Sequence, residues 1–141
     1  DPIQVAEAAA LGADAILLIA RLLSVGQMKE LYRAASELGL DVLFEAHGED
    51  ELARISECSP QIVGVNARNL DTFVVDTRQF DLLSSSIPSG VISVAESGID
   101  AHSQIDLAMK LGYSGFLIGE SLVKSPDPVA LLRRLRTGVP G

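Results

Sequence analysis

The sequence predicts an α/β protein with a parallel sheet, on three observations. Short continuous apolar runs of strand length alternate with segments of helical periodicity, the pattern of a sheet covered by helices on both faces. The runs start roughly 20 to 30 residues apart, the size of single βα units. The junctions also rhyme: Leu11-Gly12-Ala13-Asp14, Leu38-Gly39-Leu40-Asp41 and Leu111-Gly112-Tyr113-Ser114 each join the end of a helical pattern to the start of an apolar run.

Taken in order, Asp1-Pro2-Ile3-Gln4 reads as an N-cap followed by proline at the first helical position, and Val5, Ala8, Ala9 and Leu11 form the apolar stripe of a helix that Gly12 ends. Residues 13–20 (ADAILLIA) are a continuous apolar run, expected as a strand buried on both faces. From Ser24 to Leu38 the positions Val25, Met28, Leu31, Ala34, Ala35 and Leu38 have helical spacing, with Gly39 as the stop. A second strand spans 41–46 and ends in Glu45, with His47-Gly48 after it; a short helix follows over 49–57 with Leu52 and Ile55 inward. Ser59-Pro60 breaks that helix, and 61–66 form a third strand opening into Ala67-Arg68-Asn69-Leu70. Residues 74–76 suggest a brief extended piece, and 77–85 a helix carrying Phe80, Leu82 and Leu83. Pro88-Ser89-Gly90 turns the chain into a fourth strand, 91–96; a helix over 101–111 and a fifth strand over 113–119 follow. Pro128 starts a last helix through Val129, Leu132 and Leu135, and the tail 137–141 is expected to fray.

At 141 residues the chain has the length of one domain with a core. The net charge of −8 and the pI near 4.6 argue against nucleic acid or an anionic membrane surface as partner, since both need a basic footprint. One cysteine, Cys58, excludes an internal disulfide and suits a reducing compartment; it reads as a half-buried residue at a helix end. The most apolar segment, 13–20, is too short to span a bilayer, so a cytoplasmic protein is expected. No spacing of His, Cys or carboxylates suggests a metal site, and no cofactor is expected.

The chemistry-bearing residues gather at the carboxyl ends of the strands. Val94-Ala95-Glu96-Ser97-Gly98-Ile99 and Phe116-Leu117-Ile118-Gly119-Glu120-Ser121 are apolar runs that end in a carboxylate, a hydroxyl and a glycine. Such runs must pass from core to a polar opening, because Glu96 and Glu120 are costly to bury without partners. The glycines let backbone N–H groups approach an anion closely. Glu45 and His47, then Asn66 and Arg68, occupy the corresponding places on earlier strands. Carboxylates and an arginine at different strand ends are the parts needed for proton transfer around an anionic substrate. The pattern by itself supports an enzyme or a binder of a small phosphorylated metabolite. Glu45 and Arg68 could alternatively form a structural ion pair, His47 is expected to face the opposite side from Glu45 and to be structural or to support the site from behind rather than act in it, and His102 to be solvated.

Four ordered motifs carry a more specific resemblance: FEAHGEDEL (44–52), GVNARNLDTFVVD (64–76), VAESGI (94–99) and FLIGESLVKSPDP (116–128). Together they resemble indole-3-glycerol phosphate synthase of tryptophan biosynthesis, and the opening DPIQVAEAAALGADAILLI resembles that family's third helix and fourth strand. The resemblance implies one domain over 1–141 that is a partial (β/α)8 TIM barrel, about five parallel strands with flanking helices from the third to the eighth. It implies a carboxy-lyase that closes the pyrrole ring of a carboxyphenylamino-deoxyribulose phosphate with loss of carbon dioxide and water. Glu45 would be a catalytic carboxylate near the anilino group, Asn66 would bond the ribulose hydroxyls, and Arg68 would balance the carboxylates. Glu96 and Ser97 would line the pocket, and Gly98, Gly119 and Glu120 would offer backbone N–H groups to the phosphate. Some relatives place serine at the position of Glu120, so its acidic side chain is expected to point away.

The family's principal catalytic lysine lies on the third strand, before the position of Asp1, and a further lysine and glutamate lie on the first strand. By this resemblance the chain corresponds to the carboxyl-terminal part of the enzyme and is expected to be inactive alone. Its first and last strands would lack neighbours and expose apolar side chains, so the chain is expected either to pair edge to edge with a second copy or to be the ordered part of a longer protein. The alternatives to the synthase are a non-catalytic phosphate-binding half-barrel or assembly module, and a related phosphorylated-sugar isomerase.

Overall fold

A computed structural model describes residues 1–138. The elements run α1 (Pro2–Ala10), β1 (Ala15–Ile19), α2 (Val25–Glu37), β2 (Asp41–Ala46), α3 (Glu49–Ser56), β3 (Ile62–Asn66), α4 (Arg78–Ser84), β4 (Ile92–Glu96), α5 (His102–Lys110), β5 (Gly115–Leu117), α6 (Glu120–Lys124) and α7 (Pro128–Thr137). The strands form one parallel sheet in the order β1-β2-β3-β4-β5, so each new strand joins the edge left by the one before. The chain divides into two compact units, residues 1–64 with 86–91, and residues 65–85 with the segment from 92 onward.

In the first unit, Asp1 caps α1 by accepting from the Ile3 N–H at 3.0 Å, while Gln4 accepts from the Asp1 amino group at 3.2 Å. Ser24 and Gln27 make the same reciprocal box at the start of α2. β1 and β2 pair in register from Ala15↔Asp41 to Ile19↔Glu45. Val42, Phe44, Ala46, Val63 and, from the helices, Met28, Ala35, Leu52 and Ile55 are buried, with Tyr32 edge-on to Phe44 at 5.2 Å. The Arg54 guanidinium donates to the Leu23 carbonyl at 2.7 Å and ties α3 to the connection before α2.

The first strand lies at the sheet edge with apolar side chains exposed, as a partial barrel implies, and so is not buried on both faces as its composition suggested. Only Leu18 is fully buried, and Leu17 is 46% exposed, because β1 is an edge strand rather than an inner one. Leu11 and Leu38 are exposed as well, since each falls at the C-cap, just beyond the helix whose stripe it was assigned to. Cys58 is buried more fully than expected, and burial pushes its thiol up.

In the second unit, β4 and β5 pair from Val94↔Gly115 to Glu96↔Leu117. β5 keeps only three residues of the longer run, with Leu117 54% exposed. The buried Tyr113 hydroxyl donates to the Phe80 carbonyl at 3.0 Å, with the two rings edge-to-face at 5.5 Å. Helix α6 was not foreseen. In α7 the buried positions are Leu131 and Leu135, while Val129 and Leu132 are exposed, so the stripe lies on a different phase from the one expected. Asp127 caps α7 through the Ala130 N–H at 2.9 Å. His102 is not simply solvated: its Nδ1 lies 2.6 Å from the Leu135 carbonyl and its Nε2 3.3 Å from Asp106, which braces α7 against α5. Thr137 remains helical rather than frayed, and 139–141 lie outside the described residues.

Candidate active site

In the first unit the candidate residues stand at the end of β2. The Glu45 carboxylate is buried at 4% exposure. His47 shares its side of the strand, because residues two apart in an extended chain point the same way; the expectation of opposite faces was wrong. The ring's Nε2 lies 3.6 Å from Glu45 Oε1 and its Nδ1 3.6 Å from Glu51 Oε2. Glu51, in the first turn of α3, also accepts from the His47 backbone N–H at 2.8 Å. Its carboxylate, with Glu49 and Asp50, suits the positive end of the helix dipole.

In the second unit, three strand-end motifs are held together. The Ala67 N–H donates to the Glu96 carbonyl at 2.9 Å and links the end of β3 to the end of β4. The Ser121 hydroxyl donates to the Ile99 carbonyl at 2.8 Å and links the start of α6 to the loop after β4. Arg68 joins the same group by an ion pair to Glu120, and its Nη1 donates to the Phe73 carbonyl at 3.2 Å.

Local sequence explains each piece. After Asn66 the chain folds into a small hairpin, with a bridge between Arg68 and Val75, an Asp76 N–H donating to the Ala67 carbonyl at 2.9 Å, and Asn69 Oδ1 accepting from the Asp71 and Thr72 N–H groups. This is the extended piece expected over 74–76. Asn66 Oδ1 accepts the Arg68 N–H at 2.9 Å, which orients the carboxamide with its NH2 as the donor end. Glu96 is 2% exposed.

Ser97 and Gly98 both take left-handed backbone, at φ +66° and +73°. For Ser97 this is a strained conformation of the kind concentrated at functional sites. Gly98 is obligatory for a second reason: a Cβ there would lie 2.5 Å from Val75 Cγ1 and 2.9 Å from Thr77 Cγ2. Gln104, which sequence reading passed over, accepts from the Asp100 and Ala101 N–H groups and donates to the Gly98 carbonyl at 3.1 Å, fixing that loop.

Gly119 is the N-cap of α6, and Glu120 its first residue. The Glu120 side chain does not point away from the other candidates. It is held by Lys124 and Arg68, which keep its carboxyl below its ordinary range, the Lys124 hydrogen bond being the larger cause. Among the described residues no group of three or more His, Cys, Asp or Glu could hold a metal ion, and no helix is long and apolar enough to cross a membrane.

Comparison with known proteins bears on this arrangement. The family model for indole-3-glycerol phosphate synthase matches residues 1–135. The chain is 44% identical over 135 residues to the indole-3-glycerol phosphate synthase of Polynucleobacter asymbioticus, covering 96% of this chain and 51% of that protein. Against the Koribacter versatilis synthase the figures are 45% identity, 96% and 52%. The chain thus spans about half the length of the curated relatives it matches. Among solved structures it is similar to a mutant tryptophan synthase alpha-subunit from Pyrococcus furiosus, with TM-score 0.67 and 26% identity over 87% of this chain and 51% of that one. It also superposes on a structure described as native KDPGal, at TM-score 0.64 and 18% identity over 96% of this chain and 60% of the other, which speaks to the fold alone. The fold is a partial (β/α)8 barrel, and the chain belongs to the indole-3-glycerol phosphate synthase family.

Proposed function

We propose that this chain supplies the carboxyl-terminal part of a synthase that converts 1-(2-carboxyphenylamino)-1-deoxyribulose 5-phosphate to indole-3-glycerol phosphate. The observation that carries the reading, beside family membership, is the burial of Glu45 and Glu96 at strand ends, at 4% and 2% exposure. Buried carboxylates cost stability and are retained where chemistry needs them.

In this reading Glu45 is the general base or proton relay near the anilino nitrogen. Asn66 donates its carboxamide NH2 to the ribulose hydroxyls, and Glu96 and Ser97 line the sugar part of the pocket. Backbone N–H groups of Gly98, Gly119 and Glu120 take the phosphate. Arg68 supplies the positive charge, already balanced by Glu120, which leaves the residue-120 amide as that residue's contribution to the anion. No cofactor enters the scheme. A cytoplasmic setting fits, with a small phosphorylated molecule rather than nucleic acid or a membrane as ligand.

The reading is tested by Glu45→Gln in the full-length protein. Positioned acid–base catalysis contributes about 10²–10⁴-fold, and turnover should fall by that order. Unchanged turnover would remove Glu45 from the mechanism.

A second reading concerns assembly. β1 and β5 are the first and last strands of the sheet, and Leu17 and Leu117 stand 46% and 54% exposed on them. Edge-to-edge pairing with a second copy of the chain would cover such edges. A folded monomer by light scattering at micromolar concentration would count against it.

A further inference from the structure

We propose that His47 is a positioning residue for Glu45, held in turn by Glu51. The inference rests on the reading of Glu45 as the catalytic carboxylate.

The three side chains form a line, Glu51 Oε2, His47 Nδ1, His47 Nε2 and Glu45 Oε1, with 3.6 Å at each gap. All are largely buried, at 16%, 12% and 6% side-chain exposure. Among the described residues, neither ring nitrogen and not Glu45 Oε1 has a hydrogen-bond partner. Buried polar groups in that condition are costly.

The 3.6 Å gaps are longer than hydrogen bonds, and catalytic hydrogen bonds often shorten only with substrate in place. An imidazole between two carboxylates then has one job it can do by geometry. Facing a carboxylate oxygen on each side, the ring serves this purpose with both nitrogens as donors: Nε2–H toward Glu45 Oε1 sets the direction of that carboxylate's second oxygen, and Nδ1–H faces Glu51 Oε2. Glu51 keeps the ring from turning, since the same Oε2 already grips the His47 backbone N–H at 2.8 Å.

The test is steady-state ring-closure kinetics of His47 variants in the full-length barrel that carries this segment, beside Glu45→Gln. A misplaced catalytic group can cost on the order of 10²-fold, so His47→Ala should lower kcat by about 10- to 100-fold with KM within about twofold. His47→Gln places an amide donor near the Nε2 position and should recover most of the loss. His47→Asn reaches only the Nδ1 position and should not. Glu51→Gln, which keeps the acceptor for the His47 N–H and so the local fold, should lower kcat severalfold. Circular dichroism and urea midpoints establish that each variant folds.

A flat His47 series, or equal recovery by Gln and Asn, with Glu45→Gln strongly impaired would overturn the positioning role and leave Glu45 in place. An unimpaired Glu45→Gln would sink the reading of Glu45 itself, and the inference with it.

Discussion

Replacing Gly98 with alanine is the sharpest perturbation of the second unit, because two separate costs fall on one methyl group. The backbone sits at φ +73°, where an L side chain costs roughly 1–2 kcal/mol. The methyl would also lie 2.5 Å from Val75 Cγ1 and 2.9 Å from Thr77 Cγ2, distances that force the hairpin after β3 to move. Overpacking of that kind costs about 1–3 kcal/mol, for a total of roughly 2–5 kcal/mol. Gly112→Ala is the matched control: its φ is +96°, yet nothing lies within 4 Å of the added carbon, so only the backbone cost applies. Both positions belong to the same unit. Urea unfolding followed by circular dichroism should therefore place Gly98→Ala about 1–3 kcal/mol below Gly112→Ala. Equal losses would show that contact between the residue-98 turn and the Val75–Thr77 segment is not tight, and would remove the argument that glycine is required there for close approach.

Tyr113→Phe should cost about 1–2 kcal/mol, since it leaves the buried Phe80 carbonyl without its donor. Burial raises the Tyr113 phenol above its ordinary value of 10, so its contribution is whole below pH 10 and is lost as pH rises further; the variant should show a flatter alkaline decline in urea midpoint. Glu120→Gln should flatten the acid limb: its folded carboxyl titrates below 4.5, so its contribution is present above that pH and disappears as pH falls through the lowered value, an effect that added salt should shrink. His102→Ala should speed hydrogen exchange in α7, because it removes the brace to the Leu135 carbonyl while leaving the Asp127 cap.

Much of the fold was legible because it depends on local chemistry. The apolar runs marked all five strands, and the three Leu-Gly junctions fell at Gly12, Gly39 and Gly112, each at positive φ where a helix hands over to a strand. What escaped depended on context that a linear pattern lacks. Composition alone suggested that 13–20 is buried on both faces, since buried and edge positions use the same apolar residues; only the partial-barrel resemblance marked it as an edge strand. The phase of α7 was misread because Val129, Leu131, Leu132 and Leu135 are compatible with two stripes, and only the neighbour decides which is covered. In the candidate site, the strand-end carboxylates and glycines were readable as motifs. The supporting side chains were not: Glu51, Gln104 and Lys124 are ordinary helix-surface residues until the loop they fasten is in place. For His47 the signal was present, in the two-residue spacing from Glu45.

The proposed function makes this chain the carboxyl-terminal part of a ring-closing synthase. The direct measurement joins it to the amino-terminal half of the Polynucleobacter asymbioticus relative and follows the fluorescence of the indole product, against which this chain, having no tryptophan, adds no background. The account predicts product formation by the joined protein and its loss on Glu45→Gln. A joined protein that folds as one cooperative unit, binds the substrate and forms no indole would contradict it.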